Sequence, residues 1–401
     1  MRGKNLGIIA LASIPLVMTL GNSMLIPVLP IIEKEIQISS FQSSLLITVY
    51  SVIAILLIPL AGYLSDKFGR KNILLPSLLI TAIGGLVSAL AAWKMADPFY
   101  VILAGRFLQG MGAAGAFPVV IPTVGDMFED ETEVSAGLGI IETSNTFGKV
   151  LSPIIGSFLA VFIWFLPFVF IPIFSAIAIV MVWFLLDAPK RADDKKKQSF
   201  KEFLQCIRQV FRDNGRWLIG TFVIGAINMF ILFAFLFHFS SLLEKQYQLA
   251  GVLKGLVLAI PLLFLCIASY VTGKKIGKNK LVMKWTILTA NVISLVPLLW
   301  VKDDLRLTYL SLLLAIAGIG IGISLPVLDS LITEGVEKDI RGTVTALYSS
   351  MRFLGVAAGP FIMAILMEKG NSWMYYVLAG AAAVTILLTL TAIRPSREEA
   401  T

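Results

Sequence analysis

Twelve apolar runs, each long enough to cross a bilayer, divide this chain and leave few polar residues between them. A transmembrane helix takes about 20 apolar residues at a rise of about 1.5 Å each. The runs predict helices over 6–32, 41–65, 72–93, 98–127, 134–160, 163–186, 217–243, 250–272, 281–300, 306–333, 341–367 and 372–393. Only 14% of the 401 residues are charged, against about 25% in soluble domains. A soluble enzyme, a secreted protein and a disulfide scaffold are therefore excluded. The two cysteines, Cys206 and Cys266, have no metal-ligand spacing. The first run does not read as a cleavable signal peptide, because it is too long and contains Pro15, Pro27 and Pro30.

The 33 Lys and Arg residues set the expected orientation. With the N-terminus cytoplasmic, 23 of them fall on the inside, seven on the outside and three within helices. Lys34, Lys94, Lys245, Lys254, Lys302, Arg306 and Lys369 form the outside group. Both termini are expected to be cytoplasmic. The formal charge of +8 reads as a surface facing anionic lipid, and nothing else points to nucleic acid.

The chain also repeats itself. Gly69 and Gly277, Pro118 and Pro326, and Asp126 and Glu334 are each 208 residues apart. Gly148 with Pro153 recurs 207 residues on as Gly355 with Pro360. The pattern predicts a duplicated six-helix unit, with residues 1–186 and 217–401 as the two bundles. Two like halves can rock to give alternating access. Between them, 187–216 reads as a cytoplasmic linker. Its second part, Ser199 to Gly215, carries Phe200, Phe203, Leu204, Ile207, Val210 and Phe211 at helical spacing. A capping box at Ser199 and Glu202 and a stop at Asn214-Gly215 predict a short amphipathic helix there, on the membrane surface or packed on the protein.

Between the second and third runs stands Gly62-Tyr63-Leu64-Ser65-Asp66-Lys67-Phe68-Gly69-Arg70-Lys71. It resembles the G-x-L-x-D-x-x-G-R-K signature of the major facilitator superfamily. The resemblance implies a conformational latch, with Gly62 and Gly69 turning the chain, Asp66 at a helix N-terminus and Arg70 bridging to Asp126. Lys274 replaces the acid in the second half, so the latch is degenerate there. Leu20-Gly21 followed by Pro27-Val28-Leu29-Pro30 is similar to the first-helix motif of twelve-helix drug:proton antiporters. Arg106-Phe107-Leu108-Gln109-Gly110 resembles their fourth-helix motif, whose arginine is implicated in proton coupling. Gly139, Gly148, Pro153 and Gly156 match the fifth-helix antiporter motif, with Ser152 where glycine is preferred. Such a glycine ridge permits close helix approach, and the proline bends the helix.

Five ionisable residues fall within the spans: Arg106, Glu142, Lys149, Asp329 and Arg352. A central Arg, Lys or Asp costs about 2.5–3.5 kcal/mol on insertion scales. Glu142, Asn145 and Lys149 share one helix face, and Asn145 is expected with Lys149 to line the substrate cavity on the transport path. Glu142 is the first candidate for a proton-carrying carboxyl, and Asp329 the second. Asp329 has the alternative of pairing with Arg352 to fasten its half, and Glu142 that of pairing with Lys149 or another cation. Three cations against two acids leave a formal +1, which suits an anionic or phenolate-bearing compound held by Lys149 and Arg352. Asn22 and Asn228 are candidate polar contacts on the transport path, with helix packing as the alternative. His238, the one histidine, reads as incidental, and Trp93, Trp300 and Trp373 as interfacial anchors.

These features predict an all-α, multi-pass protein of the cytoplasmic membrane, monomeric, exporting small organic compounds by proton-coupled antiport. Uptake of a sugar or organic anion, or a non-transporting receptor, is the alternative. There is no Walker sequence and no nucleophile–base pair or metal cluster. The expected energy source is therefore the proton gradient, with no cofactor and no enzymatic activity.

Overall fold

The apolar runs form thirteen α-helices among the residues that the computed structural model describes, 2–128, 130–187, 200–277, 279–302, 304–336, 338–369 and 373–393. They are α1 (Arg2–Ser23), α2 (Leu29–Glu35), α3 (Ser40–Phe68), α4 (Arg70–Lys94), α5 (Phe99–Met127), α6 (Glu131–Phe162) and α7 (Leu166–Leu185). There follow α8 (Phe200–Lys245), α9 (Gly251–Lys275), α10 (Lys280–Trp300), α11 (Leu307–Gly335), α12 (Lys338–Glu368) and α13 (Met374–Ala392). All but α2 are long and apolar enough to cross a membrane, twelve spans in total.

The first run is not one helix. Pro27 and Pro30 have no N–H to donate to the carbonyls four residues back. The chain tightens instead into i→i−3 bonds, from the Ile26 amide to the Ser23 carbonyl at 3.2 Å and from Val28 to Leu25 at 2.8 Å. It restarts as the seven-residue α2. A second difference concerns α8, which does not stop at Asn214-Gly215 but runs unbroken for 46 residues. Near the base of the span, Phe211 packs edge-on against Phe222 at 5.8 Å, and that internal contact outweighs the cost of one helical glycine, about 1 kcal/mol. The capping box expected at Ser199 and the run 188–199 lie outside the described residues.

The chain divides into two compact units, Met1–Leu204 and Gln205–Thr401, with the boundary in the first turns of α8. Their interiors repeat the same close approaches. A Cβ on Gly110 of α5 would lie 2.4 Å from the Tyr50 carbonyl oxygen of α3, and one on Gly318 of α11 would lie 2.6 Å from that of Pro261 on α9. Gly112 meets the Ser77 carbonyl of α4, and Gly320 meets the Ala290 carbonyl of α10, each at 2.4 Å. Both glycine pairs keep the 208-residue interval. No side chain fits at these crossings, so the helices pack backbone to backbone, as small residues allow in lipid.

Candidate functional site

In the first unit α6 lies along α1. A Cβ on Gly156 would come 2.1 Å from the Met24 carbonyl oxygen, and one on Gly148 would come 3.2 Å from the Leu16 side chain. Pro153 on the same helix leaves the Lys149 carbonyl without its helical donor. Gly139, by contrast, has open space around it, so the helix contact uses only the later part of the motif. On this seam the Thr19 hydroxyl donates to Asn145 Oδ1 at 2.6 Å. That fixes the amide, whose Nδ2 donates to both carboxylate oxygens of Glu142 at 3.2 and 3.3 Å. Lys149 is buried one turn further along α6. The chain Thr19–Asn145–Glu142 therefore links α1 to an intramembrane carboxylate through neutral groups.

Arg106 on α5 has no exposed surface. Its guanidinium donates to the carbonyl oxygens of Leu46 at 2.7 Å and Gly21 at 3.1 Å, and to the side-chain oxygens of Gln109 and Asn22. It also lies 4.6 Å from the centre of the Tyr50 ring. Every acceptor is uncharged, and the five-donor fork joins α1, α3 and α5. Asn22, expected on a transport path, thus has its carbonyl engaged by Arg106.

At another end of this unit the chain turns at Gly69, whose φ of +96° favours glycine. Arg70 Nη1 pairs with Asp66 Oδ1 at 2.6 Å, and its Nε with Asp126 Oδ2 at 2.8 Å. Its Nη1 also donates to the Ser65 hydroxyl at 2.7 Å. Asp66 does not sit at a helix N-terminus: it lies in the last turn of α3, and Arg70 opens α4. Each charge opposes its own helix dipole, and their pairing offsets this. Gly62 has open space. Lys71, the last residue of the signature, donates to the carbonyls of Trp183 and Leu186 at the end of α7, both at 2.8 Å, where the dipole favours a cation. The bridged set therefore spans α3, α4, α5 and α7.

The second unit is arranged differently. Asn228 Nδ2 on α8 donates to the Ser324 hydroxyl on α11 at 2.9 Å. Its Oδ1 is buried with no hydrogen-bond partner, a condition that costs about 1–3 kcal/mol. Arg352 Nη1 on α12 lies 3.6 Å from Asp329 Oδ1 on α11, too far for a charge-assisted hydrogen bond. The Arg352 guanidinium is 5.8 Å from the Tyr348 ring, which covers Gly225 of α8. His238 is buried edge-on against Tyr375 at 5.4 Å.

Lys254, counted with the outside loop cations although it falls at the start of the predicted helix 250–272, is inside α9 and 1% exposed, paired with Glu244 at 2.8 Å. In the first unit the matching acid, Glu33, accepts from the hydroxyls of Ser40 at 2.9 Å and Ser43 at 2.7 Å. Both acids precede a turn whose non-glycine residue has positive φ, Gln37 at 54° and Gln248 at 53°. Glu33 and Glu244, Gln37 and Gln248, and Ser43 and Lys254 are all 211 residues apart. Spacing alone carried that signal. It was missed because both residues stand at helix ends, where hydropathy cannot separate loop from helix. Among the described residues no cluster of His, Cys, Asp and Glu could hold a metal ion.

Comparison with known proteins gives a consistent picture. The family model "Major Facilitator Superfamily" matches residues 11–360 and 284–401. A bacillibactin exporter of Bacillus subtilis is 51% identical over 397 residues, covering 98% of this chain and 97% of that protein. The class E tetracycline resistance protein of Escherichia coli is 25% identical over 390 residues, covering 92% and 91%. The crystal structure of the human organic anion transporter TETRAN has the same fold, with a TM-score of 0.76 at 18% identity over 96% of this chain and 99% of that one.

Proposed function

The chain belongs to the Major Facilitator Superfamily, and we propose that it exports bacillibactin or a related small organic compound across the cytoplasmic membrane by proton antiport. Its relatives are transporters rather than enzymes, and its twelve apolar helices make it a multi-pass membrane protein. The export direction is supported by a relative at 51% identity along nearly the whole chain.

The observation that carries proton coupling is the Glu142 carboxylate, held within a membrane span by an amide that Thr19 orients. The Thr19 hydroxyl occupies Asn145 Oδ1, so Asn145 offers Glu142 a donor. A hydrogen bond to a carboxylate is about twice as strong as one between neutral groups. Adding a proton to Glu142 therefore weakens its tie to Asn145, and through Thr19 to α1. Proton arrival becomes a change in how α6 is held against α1. Lys149 supplies charge for binding the substrate or for tuning Glu142, Arg352 supplies charge for binding the substrate, and Asp329 is the second candidate to carry the proton. Arg106 acts as the brace that holds α1, α3 and α5 together. Asp66, Arg70 and Asp126 act as a cytoplasmic latch, extended to α7 by Lys71.

In Glu142→Gln protein, gradient-driven efflux of bacillibactin is expected to be lost while binding is kept. Efflux at the wild-type rate in that variant would remove Glu142 from the role.

A further inference from the structure

We infer that Asn228 Oδ1 is a hydrogen-bond acceptor for the transported compound, forming with Ser324 a subsite in the second unit that takes a neutral hydroxyl or amide N–H. The inference rests on the export reading only for the identity of the natural occupant.

The three asparagines proposed for the transport path differ in what their carbonyl oxygens do. Asn22 Oδ1 accepts from Arg106, and Asn145 Oδ1 accepts from Thr19. Asn228 alone of the three keeps a buried carbonyl oxygen without a donor. Its amide end is anchored, since Nδ2 donates to Ser324 Oγ across the α8–α11 contact at 2.9 Å. Both residues are at most 1% exposed. The anchor fixes the direction of the acceptor before any ligand arrives, which preserves affinity that a mobile side chain would lose on ordering.

Asn291 on α10 also has a buried amide, with neither end hydrogen-bonded. No hydrogen bond anchors either end of that amide, so it lacks the fixed acceptor direction that Ser324 gives Asn228. A desolvated neutral acceptor favours a neutral donor over an ammonium ion, because the ion would also have to shed its hydration. The surroundings on α8 agree: Ile224, Met229, Ile231 and Leu232 are buried and apolar. The charged pair Asp329 and Arg352 lies on the neighbouring α11 and α12, leaving recognition of a charged part of the ligand to those residues.

The test uses two fluorescent probes, 7-hydroxycoumarin and 7-methoxycoumarin, titrated into the purified full-length protein below neutral pH, where the phenol is un-ionised and the probes differ in one donor. Wild-type protein is expected to prefer the hydroxyl probe by about tenfold. Asn228→Leu removes the acceptor at similar volume and should abolish the preference by weakening the hydroxyl probe alone. Its thermal midpoint should be equal or higher, because an unsatisfied polar group has been removed. Ser324→Ala, which keeps the acceptor but frees it, should reduce the preference to an intermediate value and serves if the leucine variant misfolds. Equal affinity of wild-type protein for the two probes, including no binding of either, overturns the inference. So does a preference that survives in Asn228→Leu. Bacillibactin efflux by the wild type is measured separately, so failure of the export reading is distinguishable from failure of the subsite.

Discussion

The two units share a backbone plan and differ in how they spend their polar groups. At the turn after the first helix, each carries an acid, a left-handed glutamine and a partner at matching intervals. In the first unit Glu33 accepts from two serine hydroxyls; in the second Glu244 pairs with a buried lysine. Deeper inside, the first unit surrounds Arg106 with neutral oxygens and has Asn145 donating to Glu142. The second unit keeps a loose ion pair at 3.6 Å and an unsatisfied amide oxygen. Duplication has preserved the close backbone contacts, where any side chain would clash. It has left the side chains around the acids free to diverge. Of the amides at the proposed site, the first unit has Asn22 and Asn145 with their carbonyl oxygens engaged, and the second has Asn228 with its carbonyl oxygen unmet.

The largest expected effect separates the paired acids. Lys254→Met leaves Glu244 in a desolvated place without its cation and is expected to lower stability by about 3–5 kcal/mol. Ser43→Ala at the matching position, where Ser40 still serves Glu33, should cost about 1 kcal/mol. Thermal unfolding of the two purified variants reads both, and equal losses would show that the hairpins are energetically alike.

A smaller contrast lies within the antiporter motif. Gly156→Ala pushes a methyl against the Met24 carbonyl, 2.1 Å away, and should cost about 1–3 kcal/mol as an overpacked contact. Gly139→Ala meets open space and should stabilise α6 by about 0.5–1 kcal/mol through helix propensity alone. A destabilising Gly139→Ala would mean that this position packs against something in the working protein.

The smallest stability effect belongs to the latch. Asp126→Asn breaks a half-exposed pair worth less than about 1 kcal/mol, yet it is expected to slow turnover severalfold with substrate affinity unchanged. Glu334→Gln, its repeat counterpart, should leave turnover unaltered. Parallel transport and binding assays on the two variants check this, and equal slowing would place a second latch in the C-terminal unit.

Much of this architecture is legible in the sequence because hydropathy and length mark the spans, and the spacing of Pro118 and Pro326 marks the duplication. The pairing of Arg70 with Asp126 was legible through a motif, and that of Glu142 with Asn145 through one helical turn. The rest was hidden for physical reasons. Asn22 and Gln109 carry no charge, so nothing in the sequence marks them as partners of Arg106. Lys254 stands near a helix end, where a buried lysine and a loop lysine have the same local composition. The break at 24–28 depends on two missing proline donors, which a hydropathy window averages away. The α8 stop was overruled by packing around Phe211 and Phe222.

The most direct test of coupled export is proton release from acidified inverted membrane vesicles, followed with a pH-sensitive dye as bacillibactin is added. Wild-type vesicles should lose protons on addition, and Glu142→Gln vesicles with equal protein and retained bacillibactin binding should not. Equal proton loss in both would contradict the assignment of the proton to Glu142. Transport without proton loss in the wild type would contradict antiport itself.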